Sequence, residues 1–398
     1  MKYVVILGDG MADWPLAELG NKTPLEVAKI PDINKLATAG QTGLIKTVPD
    51  NYKPGSDVAN LSVMGYAPEK YYTGRSPLEA LSMGIKMDEN DVAVRCNLVT
   101  ILDGKMIDYS SGEIRTPEAQ EIIKTVSYKL GSDKFVFYPG VSYRHCLIVK
   151  NDRNVCNSIF TPPHDITGQP IENYMPDGYM KDEFTRLINE SRQIVGEHPL
   201  SKARFNRDEI PPTNIWLWGA GLKPSLDSFQ ECYGLRGTVI SAVDLLKGIA
   251  IGASMRAPDV RGATGTLATD IVEKVRVVKE SLKYHSDYVY LHIEAPDECG
   301  HQGAVKAKIL AIEMVNYAAK EIYKYLSKGS EPFVIAILSD HATPIATRTH
   351  SSEPVPYTIY KSASPANSGL KHTEADAKKG VYLPTGQDLI KTMLGWNV

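Results

Sequence analysis

The segment Phe333-Val334-Ile335-Ala336-Ile337-Leu338 is apolar throughout and is followed directly by Ser339-Asp340-His341. An apolar run of this length is typical of a strand buried on both faces, as in a parallel sheet covered by helices. The pattern recurs at residues 3–7, 214–218, 238–243 and 288–293. Helical patterns lie between these runs, at 243–255, 269–284 and 305–326. The alternation predicts an α/β core with a parallel sheet and helices on both faces.

Potential metal ligands follow apolar runs in four segments. These are Gly8-Asp9-Gly10, Pro54-Gly55-Ser56-Asp57, Asp297-Glu298-Cys299-Gly300-His301, and Ser339-Asp340-His341 with His350 further on. In such sheets ligands gather beyond the carboxyl ends of the strands, which is where we expect Asp9, Asp297 and Asp340. Carboxylate and imidazole groups can converge there on divalent cations, and a hydroxyl among them can become a nucleophile. The pattern indicates phosphoryl-transfer chemistry.

Ser56 is the candidate nucleophile. It stands where a loop leads into a predicted helix, and the ordinary role of a serine at such a place is an N-cap. Backbone N–H groups and the helix dipole also lower the cost of a serine alkoxide or phosphoserine there. Because metal ligands are available, we favour the nucleophile.

In the third segment, the i,i+4 spacing of Asp297 and His301 directs both side chains to one place on a helix.

Composition excludes several classes of protein. The formal net charge of −3 and the absence of a Lys/Arg-rich run argue against nucleic-acid binding. The sequence contains no run of about 20 apolar residues, the length that a membrane-spanning helix needs. The apolar run at the amino terminus is too short for a signal peptide. The five cysteines are odd in number and lack a C-x-x-C pair, which favours free thiols in a reducing compartment. We expect a cytoplasmic enzyme.

The chain of 398 residues is long enough for two domains. Short strand patterns at 92–101, 105–108, 135–138 and 143–149, with a helical pattern at 117–130, suggest a separate α+β module. Proline-rich stretches follow it, at 161–163 and 209–212. We therefore predict a discontinuous core of residues 1–87 and 208–398, with residues 88–207 inserted as a smaller α+β domain.

Several motifs together resemble a known family. They are Gly8-Asp9-Gly10-Met11-Ala12-Asp13, Pro54-Gly55-Ser56-Asp57, Tyr72-Thr73-Gly74-Arg75, Arg95-Cys96-Asn97, Pro296-Asp297-Glu298 with Gly300-His301, and Ser339-Asp340-His341. The chain resembles the archaeal-type cofactor-independent phosphoglycerate mutases of the alkaline phosphatase superfamily along essentially its whole length. The resemblance implies an alkaline-phosphatase-like core and interconversion of 3-phosphoglycerate and 2-phosphoglycerate, without 2,3-bisphosphoglycerate or another organic cofactor.

The resemblance also implies a site. It implies two Mn²⁺, Mg²⁺ or Zn²⁺ ions and a phosphoserine at Ser56. One ion would be held by Asp9, Ser56, Asp340 and His341, and the other by Asp297, His301 and His350. The predicted partner is a small phosphorylated acid, and the oligomeric state is not predicted. We expect substrate clamps at Arg75, Arg95, Arg144 and His164, since guanidinium groups match phosphate and carboxylate, although an ordinary ion pair is as good an interpretation of each arginine.

The inserted domain would then act as a lid that keeps water from the phosphoserine. Three alternatives stay open at this point. The segment Asp57-Val58-Ala59-Asn60-Leu61-Ser62 is closer to that of a bacterial branch of the family, proposed to act as homoserine kinases, than to that of the archaeal mutases, although no P-loop is present. The others are a metal-dependent phosphohydrolase and a catalytically inactive, metal-stabilised binding protein.

Overall fold

The structure, a computed structural model, describes residues 1–397. The strands are β1 (Lys2–Gly8), β2 (Gln41–Ile45), β3 (Val92–Leu102), β4 (Lys105–Asp108), β5 (Phe135–Val141), β6 (Arg144–Val149), β7 (Ser158–Ile159), β8 (Asp177–Gly178), β9 (Asn214–Leu222), β10 (Gly237–Ile240), β11 (Tyr288–Ile293), β12 (Phe333–Leu338), β13 (Val355–Lys361) and β14 (Val381–Leu383). The helices are α1 (Pro24–Val27), α2 (Pro31–Ala39), α3 (Ser56–Val63), α4 (Pro68–Tyr71), α5 (Arg75–Ser82), α6 (Thr116–Leu130), α7 (Lys181–Gly196), α8 (Pro199–Phe205), α9 (Phe229–Tyr233), α10 (Asp244–Gly252), α11 (Ile271–Tyr284), α12 (Ala295–His301), α13 (Val305–Leu326), α14 (Glu374–Ala377) and α15 (Asp388–Leu394). They form two compact units, Met1–Tyr72 with Ser225–Val398 and Thr73–Pro224.

The first unit is built on a mixed sheet with the strand order β10-β11-β1-β12-β13-β2-β14. The strands β10, β11, β1 and β12 are parallel in succession, whereas β13 is antiparallel to both of its neighbours. Every residue of β11 and β12 is buried, because helices cover both faces of these apolar strands. Leu7 pairs with Leu338, and Gly8 pairs with Ile293. The three central strands therefore end together, and the segments that follow them leave from one edge.

Most of the predicted core is confirmed. The runs at 3–7, 238–243, 288–293 and 333–338 correspond to β1, β10, β11 and β12, and the helical patterns correspond to α10, α11 and α13. The prediction for 214–218 is wrong in its placement. This run belongs to β9, which is antiparallel to β3 in the second unit. Continuous apolar residues indicate burial on two faces but do not specify the neighbouring strand.

The second unit contains an antiparallel sheet. The long strand β3 pairs with β6, with β9 and, near its end, with β4, while β5 pairs with β6. Apolar side chains of α6 and α7 pack with those of β3 and β9 in one core. The predicted insertion at 88–207 lies inside this unit. The unit also includes α5 and β9, because both pack against β3.

The longest helix of the described residues is α13, which contacts β1 and β12 in the first unit. Its buried positions recur at helical spacing and include Ala311, Ile312, Val315 and Ala319. Lys308 is also on the buried side. Within residues 1–397, no helix combines the length and the apolar character needed to cross a membrane.

Candidate active site

Asp9, Asp340 and His341 meet at the edge of the sheet where β1 and β12 end. His341 Nε2 lies 3.5 Å from Asp9 Oδ1 and 3.4 Å from Asp340 Oδ2. All three side chains are almost completely buried. One ligand atom of each residue lies within 4.8 Å of the others. This spacing allows the three residues to bind one divalent cation together.

Ser56 joins this group from the start of α3. Gly55, in extended backbone, is the N-cap of the helix and Ser56 is its first residue, so the ordinary N-cap role does not apply to Ser56. Its Oγ lies 3.1 Å from His341 Nε2. The hydroxyl is therefore placed at a helix amino terminus, where unpaired N–H groups and the helix dipole favour negative charge.

Asn60 connects the serine to Asp340. Its side-chain nitrogen donates to the carbonyl oxygen of Ser56 and to Asp340 Oδ2, both at 2.8 Å. The Tyr290 hydroxyl donates to Asn60 Oδ1 at 2.6 Å. Since Asn60 is one turn after Ser56 on α3, these bonds fix the start of the helix against the end of β12.

Asp297, His301 and His350 form a second group. The first two lie one turn apart on α12, as the i,i+4 spacing predicted. Asp297 Oδ2 is 3.2 Å from His301 Nε2, and Asp297 Oδ1 is 3.5 Å from His350 Nε2. Thr343 lies between the groups: its hydroxyl hydrogen-bonds Asp297 Oδ1 at 2.5 Å and lies 3.3 Å from His341 Nδ1.

If both rings were neutral, the two histidines of the second group would present lone pairs to each other. His301 Nδ1 is 2.9 Å from the carbonyl oxygen of Arg348, and His350 Nδ1 is 3.3 Å from that of Pro54. A carbonyl can only accept, so each Nδ1 is the donor and, in a neutral ring, each Nε2 has a lone pair. These Nε2 atoms are 2.9 Å apart. A proton or a metal ion is needed between them.

The pKa shifts of Asp9, Asp297 and His301 also indicate that the two ligand groups need positive charge. Burial, with the neighbouring carboxylates of Asp340 and Asp297, raises the pKa of Asp9 well above its ordinary value. Burial also raises the pKa of Asp297, but hydrogen bonds with His301 and His350 outweigh it and hold this pKa well below its ordinary value. The hydrogen bond to Asp297 raises the pKa of His301 to about 9.

Both groups fit divalent cations. Asp9 Oδ1 is buried without a hydrogen-bond partner among the described residues. An unpaired buried carboxylate oxygen is costly, and a cation would remove that cost. At the second group, a cation would replace the proton between the facing imidazoles. The oxygen and nitrogen donors suit Mg²⁺, Mn²⁺ or Zn²⁺.

Several residues of the site were missed by sequence reasoning. His292 lies in β11 and its Nε2 is 2.9 Å from Asp9 Oδ2, while burial lowers the pKa of His292 to about 3. Asn60, Tyr290 and Thr343 were missed as well. A histidine inside a fully apolar strand was the available signal, since such a side chain needs a buried polar partner. The other three are inconspicuous in the sequence.

The four predicted substrate clamps lie in the second unit. Glu79 binds both Arg95, at 2.9 Å, and Arg75, at 2.9 Å. The Arg95 guanidinium also lies 4.2 Å from the centre of the Trp218 ring, and the His164 ring packs edge-on against the same tryptophan. Burial lowers the pKa of Arg95, and the other arginines, Arg75 and Arg144, act in the same direction. These residues thus form a cationic cluster in which Arg95 is buried and Arg144 is exposed.

Comparisons with known proteins agree along nearly the whole chain. Residues 37–201 match the family model described as 2,3-bisphosphoglycerate-independent phosphoglycerate mutase. Proteins of that name from Methanosarcina mazei and Methanothrix thermoacetophila are 43% and 46% identical over 397 residues, and each alignment covers 99% of this chain and 100% of the relative. A solved structure from Pyrococcus horikoshii is 26% identical, with a TM-score of 0.81 over 99% of this chain and 96% of that one.

Proposed function

The chain belongs to the family of 2,3-bisphosphoglycerate-independent phosphoglycerate mutases, and from this premise we propose that it interconverts 3-phosphoglycerate and 2-phosphoglycerate through a phosphoserine at Ser56. The carrying observation is the position of the Ser56 hydroxyl, 3.1 Å from His341 Nε2 at a helix amino terminus. A serine so placed supports a nucleophile that forms a covalent intermediate.

The ligand roles are part of the proposal. Asp9, Asp340, His341 and Ser56 would hold one divalent cation, and the second group would hold another. When bound, the two cations would favour ionisation of the Ser56 hydroxyl and neutralise charge on the transferring phosphoryl oxygens. Asn60 holds the Ser56 carbonyl, so it orients the start of the helix that presents the nucleophile.

Phosphoryl transfer takes place in two half-reactions, first to Ser56 and then back to the glycerate. In the first, Ser56 Oγ attacks phosphorus, the bond from phosphorus to O3 of the substrate breaks, and O3 ends with the proton that Ser56 has lost. Glycerate then turns within the site. In the second, O2 attacks the phosphoserine, the bond from phosphorus to Oγ breaks, and Ser56 regains a proton from O2. No external phosphate donor enters.

Water must be kept from the phosphoserine between these steps, because hydrolysis would release inorganic phosphate. Within the first unit, Asp9, Asp340 and His341 are buried but Ser56 is only half-buried, so a phosphoserine there needs further cover. For the second unit, we propose that the cationic cluster binds the carboxylate or phosphate of the substrate. Arg144 would supply the exposed charge, while Glu79 holds Arg95 in place.

The product identifies the reaction. Mn²⁺-loaded protein is incubated with 3-phosphoglycerate and followed by phosphorus NMR, with Ser56→Ala as the control. We expect the 2-phosphoglycerate signal without added 2,3-bisphosphoglycerate, and no conversion by the control. Release of inorganic phosphate alone would instead identify a phosphohydrolase. A second arm with homoserine and ATP would identify a kinase if it gave phosphohomoserine while 3-phosphoglycerate stayed unchanged.

A further inference from the structure

The strand β11 contributes two buried polar side chains that take no part in the proposed transfer. Side chains alternate along a strand, so Tyr288, Tyr290 and His292 lie on the same face of the sheet. All three are at most 1% exposed. Tyr290 and His292 each belong to a chain of hydrogen bonds that leads to a carboxylate of the first ligand group.

When Asp9 is ionised, as a cation at this site would keep it, the chain through His292 has one consistent arrangement of protons. The backbone N–H of Val243 donates to Ser241 Oγ at 2.9 Å, and this Oγ is 3.1 Å from His292 Nδ1. At the other side of the ring, His292 Nε2 is 2.9 Å from Asp9 Oδ2. An ionised carboxylate only accepts, so Nε2 is the donor and, in the neutral ring, Nδ1 accepts the Ser241 proton.

His292 therefore occupies one oxygen of Asp9 and leaves the other. Asp9 Oδ1 is the buried oxygen without a hydrogen-bond partner, and it is the one that faces His341 Nε2 at 3.5 Å. Lys274 Nζ donates to the carbonyl oxygen of His292 at 3.1 Å. The ring is thus held from its backbone as well as from both nitrogens.

The chain through Tyr290 acts on Asp340 in the same way. The Tyr290 hydroxyl donates to Asn60 Oδ1, which fixes the amide so that its nitrogen faces Asp340 Oδ2. The backbone N–H groups of Gly10 and His341 occupy the other oxygen, Asp340 Oδ1, at 3.1 and 2.9 Å. Asn60 takes one side of Oδ2, and the remaining side faces His341 Nε2 at 3.4 Å.

We propose that Tyr290 and His292 are positioning residues that select which oxygens of Asp340 and Asp9 face the cation of the first site. This inference rests on the proposed function, because it requires a cation there. Ligating carboxylates depend on such outer hydrogen bonds, and loss of one weakens metal binding about 10–100-fold. Neither side chain touches the transferring group in this scheme.

The test measures Mn²⁺ binding by calorimetry in purified, metal-free protein. Tyr290→Phe removes only a hydroxyl, and His292→Phe removes the donor to Asp9, whereas His292→Gln retains an N–H donor. Tyr288→Phe is the control for the tyrosine, since the buried Tyr288 hydroxyl has no hydrogen-bond partner among the described residues. His372→Phe is the control for a buried histidine that faces the hydroxyl of Thr358. A His301→Ala background removes the second site, so that the measured affinity belongs to the first.

We expect Tyr290→Phe and His292→Phe to weaken Mn²⁺ binding at the first site at least about tenfold, and His292→Gln to recover most of the loss. Metal-free Tyr290→Phe should melt at a lower temperature than Tyr288→Phe, because only the Tyr290 hydroxyl donates a hydrogen bond that the substitution removes. Binding at the second site should be unchanged with His301 present. Affinities equal to those of the two controls would overturn the inference. If the unsubstituted protein bound no Mn²⁺, the proposed function itself would be overturned, and with it this inference.

Discussion

Substitution of Lys308 tests the energetics of the loops that present the ligands. Lys308 Nζ donates to Asp13 Oδ2 at 2.7 Å, to the carbonyl oxygen of Thr343 at 2.8 Å and to that of Ala12 at 3.2 Å. The side chains of Lys308 and Asp13 are completely buried. The lysine on α13 thus joins the segment after β1 to the segment after β12. Lys308→Met retains most of the aliphatic stem and removes the charge and all three bonds.

The loss of stability in Lys308→Met follows from the interactions that Asp13 keeps and loses. Asp13 would keep its backbone donors Trp14 and Ile345, but its charge would be buried without a counterion. Breaking a buried pair by removing one partner costs about 3 to 5 kcal/mol. We therefore expect Lys308→Met to lower the free energy of unfolding by about 4 kcal/mol. Adding Asp13→Asn should recover at least about 2 kcal/mol, because the unpaired charge is then gone.

The measurement is urea unfolding followed by circular dichroism, with the midpoint and slope compared among the original protein, the single variant and the double variant. A cost below about 1 kcal/mol for Lys308→Met would refute the reasoning, since that is the range of exposed ion pairs. Equal stability of the single and double variants would also refute it, because the loss would then not come from the charge of Asp13.

Four further outcomes are expected. Ser56→Ala should abolish phosphoryl transfer with little loss of metal, and more than about a tenth of the original turnover, or under ~1.4 kcal/mol of barrier, would contradict covalent catalysis. Chelation should remove activity and lower the melting temperature, and Mn²⁺ should restore both, whereas full activity after verified metal loss would contradict the two-ion scheme. Arg144→Gln should raise KM for 3-phosphoglycerate about tenfold without changing stability. Arg95→Gln should raise KM and also destabilise the protein, because Glu79 loses a buried partner. Equal stability of the two variants would count against the assignment of Arg95 as the buried member of the cluster and Arg144 as the exposed one. Burial lowers the pKa of His372 from 6.5 to about 4, so between these pH values the unfolded chain binds more protons than the folded protein. The free energy of unfolding should therefore fall by about 3 kcal/mol as the pH falls through this window. Unfolding experiments on His372→Gln should show a shallower decline, and an identical decline would contradict the assignment.

Local patterns were sufficient for the centre of the fold. The apolar runs at β1, β11 and β12 predicted buried parallel strands, and the polar residues directly after two of them, Asp9 and Asp340, emerge at the same edge. The helical spacing of Asp297 and His301 also predicted their proximity on α12. These predictions depend on residues close together in the chain, whose backbone geometry places them without reference to distant segments.

Tertiary structure decided the partners of those elements and the surroundings of the site. The apolar run at 214–218 indicated a buried strand, but only the folded chain places it beside β3, because a strand buried on two faces could belong to either sheet. Likewise, β13 enters the core sheet antiparallel to its neighbours. The polar side chains around the ligands depend on the same long-range contacts. His292 lies 283 positions from Asp9, and Tyr290 lies 230 from Asn60. A single sequence names the residues that can bind a cation, whereas the hydrogen bonds that orient them exist only after distant strands and helices have packed, since each bond needs two groups brought within about 3 Å.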